Sequence, residues 1–307
     1  MRTERGLDFE LGGKYVLALG CFDGVHLGHR AVLEVAERKA MELGCGLCVF
    51  SFEQPPRNFF SPTPVPLITT AEEKLEIFES LGVDVAVCLP LSLGILSMDA
   101  ERFVEDVILK KLCAAHVVCG YNYGFGKGAA GNSELLRRIC SEHGVGVSEV
   151  DEYRLGTEAL SSSLIRQRIA EGDMESVAAF LDRPYSLTGV VSHGQHLART
   201  LGFPTVNISP QELKVLAKNG VYVTKIHFDG NIWHGITNIG IRPTVDTKIM
   251  CVETHIFDFE GDLYGKKITV EFLKFIREER KFPDIDAMSE QIRGDIAMAR
   301  NYIKDLL

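Results

Sequence analysis

The sequence predicts two architectures in series: an α/β domain on a parallel sheet over residues 1–183, then a small antiparallel β-barrel with a terminal helix over residues 184–307. Three observations carry this reading. In the first part, short and nearly continuous apolar runs alternate with segments of helical periodicity, the pattern of a parallel sheet covered on both faces. Near Leu181-Asp182-Arg183-Pro184 the rhythm changes, and strand-like runs follow one another without helices. A length of 307 residues suits two domains, at roughly 100–200 residues each.

The elements follow in order. Tyr15–Leu19 reads as the first strand. A helix begins near Gly28, with Leu33, Ala36, Ala40 and Leu43 at helical spacing and Gly44 as its stop. Leu47–Phe52 is the next strand. Thr70–Leu81 is a helix that Thr70 caps, with Glu73 completing a capping box. Strands at Val83–Leu89, Ala115–Gly120 and Gly146–Val150 alternate with helices at Asp99–Lys111, Ser133–His143 and Ser163–Ala170. In the second part, Tyr185–Val191, Gly220–Phe228, Ile232–Asn238, Ile249–Phe257 and Lys267–Phe275 read as strands. Asp229-Gly230 between two of them is a hairpin turn. A sandwich is the alternative to a barrel. Ile285, Met288, Ile292, Ile296, Ala299 and Ile303 form one apolar stripe on the closing helix.

A net charge of −9 argues against a nucleic-acid partner, whose protein surface would be basic. Met1 to Glu10 is charged, so no signal peptide is visible. No apolar run approaches the ~20 residues of a membrane span. Eight cysteines then read as reduced thiols of a cytoplasmic protein. Cys45 and Cys48 have C-x-x-C spacing, but no second pair follows at zinc-site distance, and Cys48 sits in an apolar strand. Core thiols are preferred over redox or metal use. The oligomeric state is left open.

Three elements of the first part suit a nucleotide. Gly20-Cys21-Phe22-Asp23-Gly24-Val25-His26-Leu27-Gly28-His29 joins a strand to a helix. Glycines admit close backbone approach, and the first turn of a helix favours an anion. His26 and His29 are three apart and share a face if the helix has begun. Two imidazoles at a phosphate can stabilise charge that develops during phosphoryl or nucleotidyl transfer. Ser161-Ser162-Ser163 precedes a helix with Arg166 in its first turn, offering hydroxyl and guanidinium donors; an ordinary serine-capped helix has the same look. The loop Gly120-Tyr121-Asn122-Tyr123-Gly124-Phe125-Gly126, extended to Gly131, can stack aromatics on a flat ring. A plain surface loop is the alternative.

In the second part, Thr205 and Asn207 of Gly202-Phe203-Pro204-Thr205-Val206-Asn207 alternate along an extended segment, so both oxygens can face one site. Hard oxygens suit Mg²⁺. A polar edge strand would read the same way.

These blocks resemble one family. G-x-F-D-G-x-H-x-G-H and the later S-S-x-x-I-R are similar to the nucleotidyltransferase half of bacterial bifunctional riboflavin kinase/FMN adenylyltransferases. Pro204-Thr205-Val206-Asn207, Asn219-Gly220-Val221-Tyr222, Asn238 to Thr244 and Asp262-Leu263-Tyr264-Gly265 resemble its kinase half. The likeness spans about Lys14 to Tyr302. It implies a Rossmann-like nucleotidyltransferase domain and a kinase barrel, with riboflavin, FMN and ATP as small-molecule substrates and Mg²⁺ as cofactor. It further implies that His26, His29, Arg166 and Glu253 are catalytic. Gly20, Cys21, Phe22, Asp23, Gly24, Ser162 and Gly194 would contact nucleotide, and Thr205 and Asn207 would hold both nucleotide and metal. Asn122, Tyr123 and Phe125 would meet the flavin. The chain departs from the family pattern at Phe52-Glu53-Gln54-Pro55-Pro56, which lacks a histidine, and at Ala198, where a second glycine is usual. H-x-G-H alone would also permit other adenylyl- or cytidylyltransferases; the kinase blocks discriminate against them.

Overall fold

The computed structural model describes residues 1–192, 203–243 and 248–306. Packing divides the chain into two units, Met1–Ser162 and Ser163–Leu307.

The first unit is built on six parallel strands: β1 (Arg2–Glu4), β2 (Tyr15–Leu19), β3 (Gly46–Phe52), β4 (Val85–Leu89), β5 (Ala114–Gly120) and β6 (Gly146–Val150). Their order is β1-β4-β3-β2-β5-β6. The unbroken apolar run of β2 has a direct cause. Leu17 and Leu19 enter one core with Phe50, Phe103 and Leu136, while Val16 and Ala18 enter another with Leu33, Ala36 and Phe78. Alternate residues serve opposite faces, and both faces are covered. Helices α1 (Leu27–Leu43) and α2 (Ala71–Ser80) supply Leu33, Ala36 and Phe78 to the second core. Gly44 ends α1 in the left-handed region, and the Thr70–Glu73 capping box is present. Strand order reverses at β2, between β3 and β5. Ligands of open α/β sheets bind at the carboxyl ends of strands at such a point.

Some elements differ from expectation. After the short α3 (Leu93–Leu96), the segment expected as an ordinary helix has one α turn, α4 (Ala100–Arg102), and continues as a π-helix, Phe103–Lys111. Apolar periodicity cannot separate i+4 from i+5 bonding. Strand β1 was not expected: its three polar residues pair only with β4. Helix α5 (Ser133–Glu142) and the two-residue strands β7 (Arg154–Leu155) and β8 (Glu158–Ala159) complete this unit. Cys48 is fully buried, and burial pushes its thiol up to about 12. Cys45, its C-x-x-C neighbour, is only partly buried, and both are free thiols.

Helix α6 (Ser162–Glu171) starts at the unit boundary and α7 (Met174–Leu181) follows it. Strands β9 (Tyr185–Ser192), β10 (Val206–Pro210), β11 (Gly220–Phe228), β12 (Asn231–Pro243), β13 (Lys248–Ile256) and β14 (Lys267–Arg277) close a barrel in the order β10-β13-β12-β11-β14-β9. Its interior includes a buried hydroxyl chain: Thr237 Oγ1 lies 2.9 Å from Thr224 Oγ1 and 2.8 Å from Thr254 Oγ1. The C-terminal helix, Ile285–Leu306, lies on the outer face, where Ala299 and Ile303 pack with Val221, Val223 and Ile236. The expected stripe is only partly buried. Ile285 is 60% exposed, whereas Asp295 on the same helix is 1% exposed and bonded to Arg277. Among the described residues no helix is long and apolar enough to cross a membrane.

Candidate active sites

In the first unit, a cavity of about 530 Å³ opens at the carboxyl ends of β2 and β5. Gly20, Cys21, His26 and His29 line it from the turn after β2, Asn122, Tyr123 and Phe125 from the loop after β5, and Ser162 from the start of α6. These are residues that the motifs single out, brought together by the strand order. Phe22, Asp23 and Gly24 do not line the cavity; they lie buried beneath it. Asp23 Oδ1 accepts the N–H groups of Ile68 at 3.0 Å and Thr69 at 3.1 Å, and the Asp23 carbonyl accepts Ser162 Oγ at 2.9 Å. Arg166 stands four residues after Ser162 on α6. Gly194 lies outside the described residues, as does Ala198.

The turn is held in an uncommon shape. Phe22, Gly24 and Val25 have φ of 52°, 89° and 39°. For a bulky or β-branched residue this region is unfavourable, by about 1–2 kcal/mol. Strain of this kind persists only where its surroundings enforce it. The Asp23 bonds, a 2.9 Å bond from Gly24 N–H to Thr69 Oγ1, and the packing of Phe22 edge-on to Phe78 do so.

His26 is the N-cap of α1 rather than a residue of its first turn. Its Nδ1 accepts the His29 N–H at 3.3 Å, so a neutral His26 carries its proton on Nε2. The two rings nevertheless share a face: their centroids are 3.7 Å apart at 18°. Burial holds His29 well below the usual imidazole range, with help from His26 and Lys74. His29 is therefore neutral at pH 7. The first turn of α1 has no acidic side chain, which leaves its positive end for an anion.

Sequence reasoning missed part of the wall. Arg57, Phe60, Phe103 and Tyr153 also line the cavity. Phe60 is 67% exposed beside it, an apolar ring that a bound planar group would cover. Pro56–Phe59 is a short 3₁₀ turn within the segment where the family pattern has its histidine. Phe103, Phe125 and Tyr123 form a ring series at 5.6 and 5.7 Å.

In the second unit, Glu253 on β13 stands opposite Asn207 on β10 and Asn238 on β12. Directly opposed residues share a sheet face, and here it is the outer one, since Val252 and Thr254 are fully buried inside. A cavity of about 320 Å³ lies there, with Glu253, Asn238 and Arg277 in its wall beside Phe203, Phe282, Met288 and Ile292. A second cavity of about 490 Å³ is lined by Val191, Pro204 and Asp262 to Tyr264. Thr205 lines both. His255 Nδ1 lies 2.9 Å from the Pro204 carbonyl; a carbonyl only accepts, so this nitrogen carries a proton and ties down the segment that bears Thr205. Cys251, which no motif marked, donates its thiol toward Asn207 Oδ1 at 3.2 Å and Glu253 Oε1 at 3.3 Å. Thr205 offers a neutral hard oxygen to both cavities, of the kind that suits a cation shared with phosphates and water, whereas Asn207 is buried, lines neither cavity and accepts the Cys251 thiol at its Oδ1.

Comparison with known proteins addresses both units. The riboflavin kinase family profile matches residues 181–303, and the FAD synthetase profile matches residues 10–164. A curated relative from Pseudomonas fluorescens, named bifunctional riboflavin kinase/FMN adenylyltransferase, is 36% identical over 287 residues, covering 93% of this chain and 92% of its own. One of the same name from Bacillus subtilis is 34% identical over 298 residues, covering 95% and 94%. A solved structure from Streptococcus pneumoniae, described as a macrolide-efflux protein, superposes with a TM-score of 0.90 at 27% identity, over 97% of this chain and 98% of its own.

Proposed function

Because the chain belongs to the bifunctional riboflavin kinase/FMN adenylyltransferase family, we propose that it makes FAD from riboflavin in two steps. The barrel unit transfers the γ-phosphoryl group of ATP to riboflavin, giving FMN and ADP. The parallel-sheet unit joins FMN to AMP from a second ATP and releases pyrophosphate. We place the boundary between the activities at residues 183/184, just before β9 at Tyr185. The interval 163–183, which carries Arg166, packs within the second unit.

In the kinase step, Glu253 accepts the proton of the riboflavin 5′-hydroxyl as its oxygen bonds to the γ-phosphorus and the bond to ADP breaks. The smaller cavity, with its aromatic and aliphatic wall, suits riboflavin. The larger one suits ATP, and Thr205 at their junction stands where the reacting groups meet. Enzymes of these families that use ATP require a divalent cation. Thr205 would hold Mg²⁺, which supplies charge neutralisation on the phosphates when bound.

In the adenylyl step, the FMN phosphate is already ionised and attacks the α-phosphorus directly. No strong base is needed; alignment and charge stabilisation are. His26 Nε2–H and neutral His29 line the cavity as imidazole groups, while the Ser162 hydroxyl, donated to the Asp23 carbonyl, braces the turn beneath them. Mg²⁺ would neutralise phosphate charge there as well. With eight cysteines and no disulfide, a reducing cytoplasm is the compartment that this reading assigns.

The observation that carries the proposal is the pair of separate, motif-lined sites, the stacked histidines at β2 and the Asn207–Glu253–Asn238 row on the barrel. Incubation with riboflavin, ATP and Mg²⁺, followed by chromatography, should show FMN and then FAD. Absence of both products would refute it.

A further inference from the structure

Beyond the effect of its charge on His29, Lys74 has no part in the chemistry above. It lies in the first turn of α2 and is 1% exposed. Its Nζ donates to the Cys21 carbonyl at 2.9 Å and the Phe52 carbonyl at 2.6 Å. Among the described residues no carboxylate forms an ion pair with it, and its hydrogen-bond acceptors are two peptide carbonyls. Such burial is costly, and a methionine of similar shape would avoid that cost. The two carbonyls are informative. Cys21 is the last residue before the chain turns into positive φ at Phe22, and Phe52 closes the neighbouring strand β3. Ser51 Oγ also donates to the Cys21 carbonyl, at 2.9 Å.

We propose that Lys74 is a positioning residue for adenylyl transfer: its ammonium clamps the Cys21 and Phe52 carbonyls and so fixes the Phe22–Val25 turn that presents His26 and His29. Lys74 is not part of the cavity wall. It acts through the loop and touches no substrate. The inference rests on the reading of the first unit as the adenylyltransferase.

The test compares Lys74→Met and Lys74→Gln with the parent in the full chain. FAD formation from FMN and ATP, riboflavin phosphorylation and thermal unfolding are read on each sample. Lys74→Met should lower kcat for FAD formation by roughly 100-fold, the scale of an ångström-level misplacement. KM for ATP should stay within about threefold and riboflavin phosphorylation within about twofold, since the walls of both sites remain. Lys74→Gln keeps a donor N–H and should fall between parent and Lys74→Met. A parent that makes no FAD refutes the reading of the site itself. A parent that makes FAD alongside folded variants of parental kcat overturns the positioning role. If Lys74→Met unfolds the first unit, Lys74→Gln decides: reduced kcat with unchanged KM supports the role, and parental kcat overturns it.

Discussion

Asn207 and Glu253 face each other across the antiparallel β10–β13 ladder, and one thiol, that of Cys251, reaches both at 3.2 and 3.3 Å. A single S–H serves one acceptor at a time, so Cys251 links the carboxylate to the amide beside it. Removing this donor in Cys251→Ala should slow riboflavin phosphorylation about threefold to tenfold, the worth of one ordinary hydrogen bond at ~0.5–1.5 kcal/mol. Cys251→Ser should keep most of the rate. Steady-state kinetics of FMN production checks both.

The partly buried His29 makes a pH prediction. Its folded pKa lies below the 6.5 of a free imidazole. Above pH 6.5 it is neutral folded and unfolded alike. As pH falls through 6.5 the unfolded chain takes up a proton that the folded chain does not, so stability declines, by up to ~1.4 kcal/mol per pH unit for one proton, until the folded pKa is reached. Thermal unfolding of the first unit should show this slope, and His29→Asn should reduce it. An unchanged slope in the variant would assign it elsewhere.

Gly24 is required by geometry. Its φ is 89°, and an added Cβ would sit 3.1 Å from Ile68 Cγ2. Gly24→Ala should cost the first unit about 1–2 kcal/mol and slow FAD formation. Riboflavin phosphorylation should be unaffected, which assays of the two half-reactions will show.

Asp295 holds Arg277 through bonds of 2.8 to 3.1 Å, and both line the smaller barrel cavity. Asp295→Ala leaves a largely buried guanidinium without its partner. The expected loss is about 3 kcal/mol of barrel stability, the lower end for a broken buried pair because Arg277 is 20% exposed. KM for riboflavin should rise more than KM for ATP. Denaturant unfolding and substrate titrations test the two effects.

What the sequence reveals is what local chemistry dictates. The Thr70 cap, the Gly44 stop and the apolar strands depend on neighbours within a few residues, and each is present. Tyr123 and Phe125 follow a strand end and so reach the cavity with the histidines. Lys74 was illegible because its partners lie 53 and 22 residues away and are carbonyls, which every residue possesses. Asp295 reads as the polar side of an amphipathic helix until Arg277 arrives from β14. Cys251 gains meaning only when β13 brings it beside β10. Arg57 and Phe60 carry no pattern that separates a cavity wall from a loop. The roles of Asp23 and Gly24 as supports of the turn also needed the fold, since their partner segment, Ile68 to Thr69, is remote in sequence.

The central claim is that two independent sites perform successive steps. The most direct measurement is product chromatography of the full-length His29→Ala and Glu253→Gln variants, each supplied separately with riboflavin plus ATP and with FMN plus ATP. The account predicts that His29→Ala accumulates FMN without FAD. It predicts that Glu253→Gln converts supplied FMN to FAD at the parental rate while phosphorylating riboflavin at least about 100-fold more slowly. FAD at the parental rate from His29→Ala, or loss of both activities in folded Glu253→Gln, would contradict it.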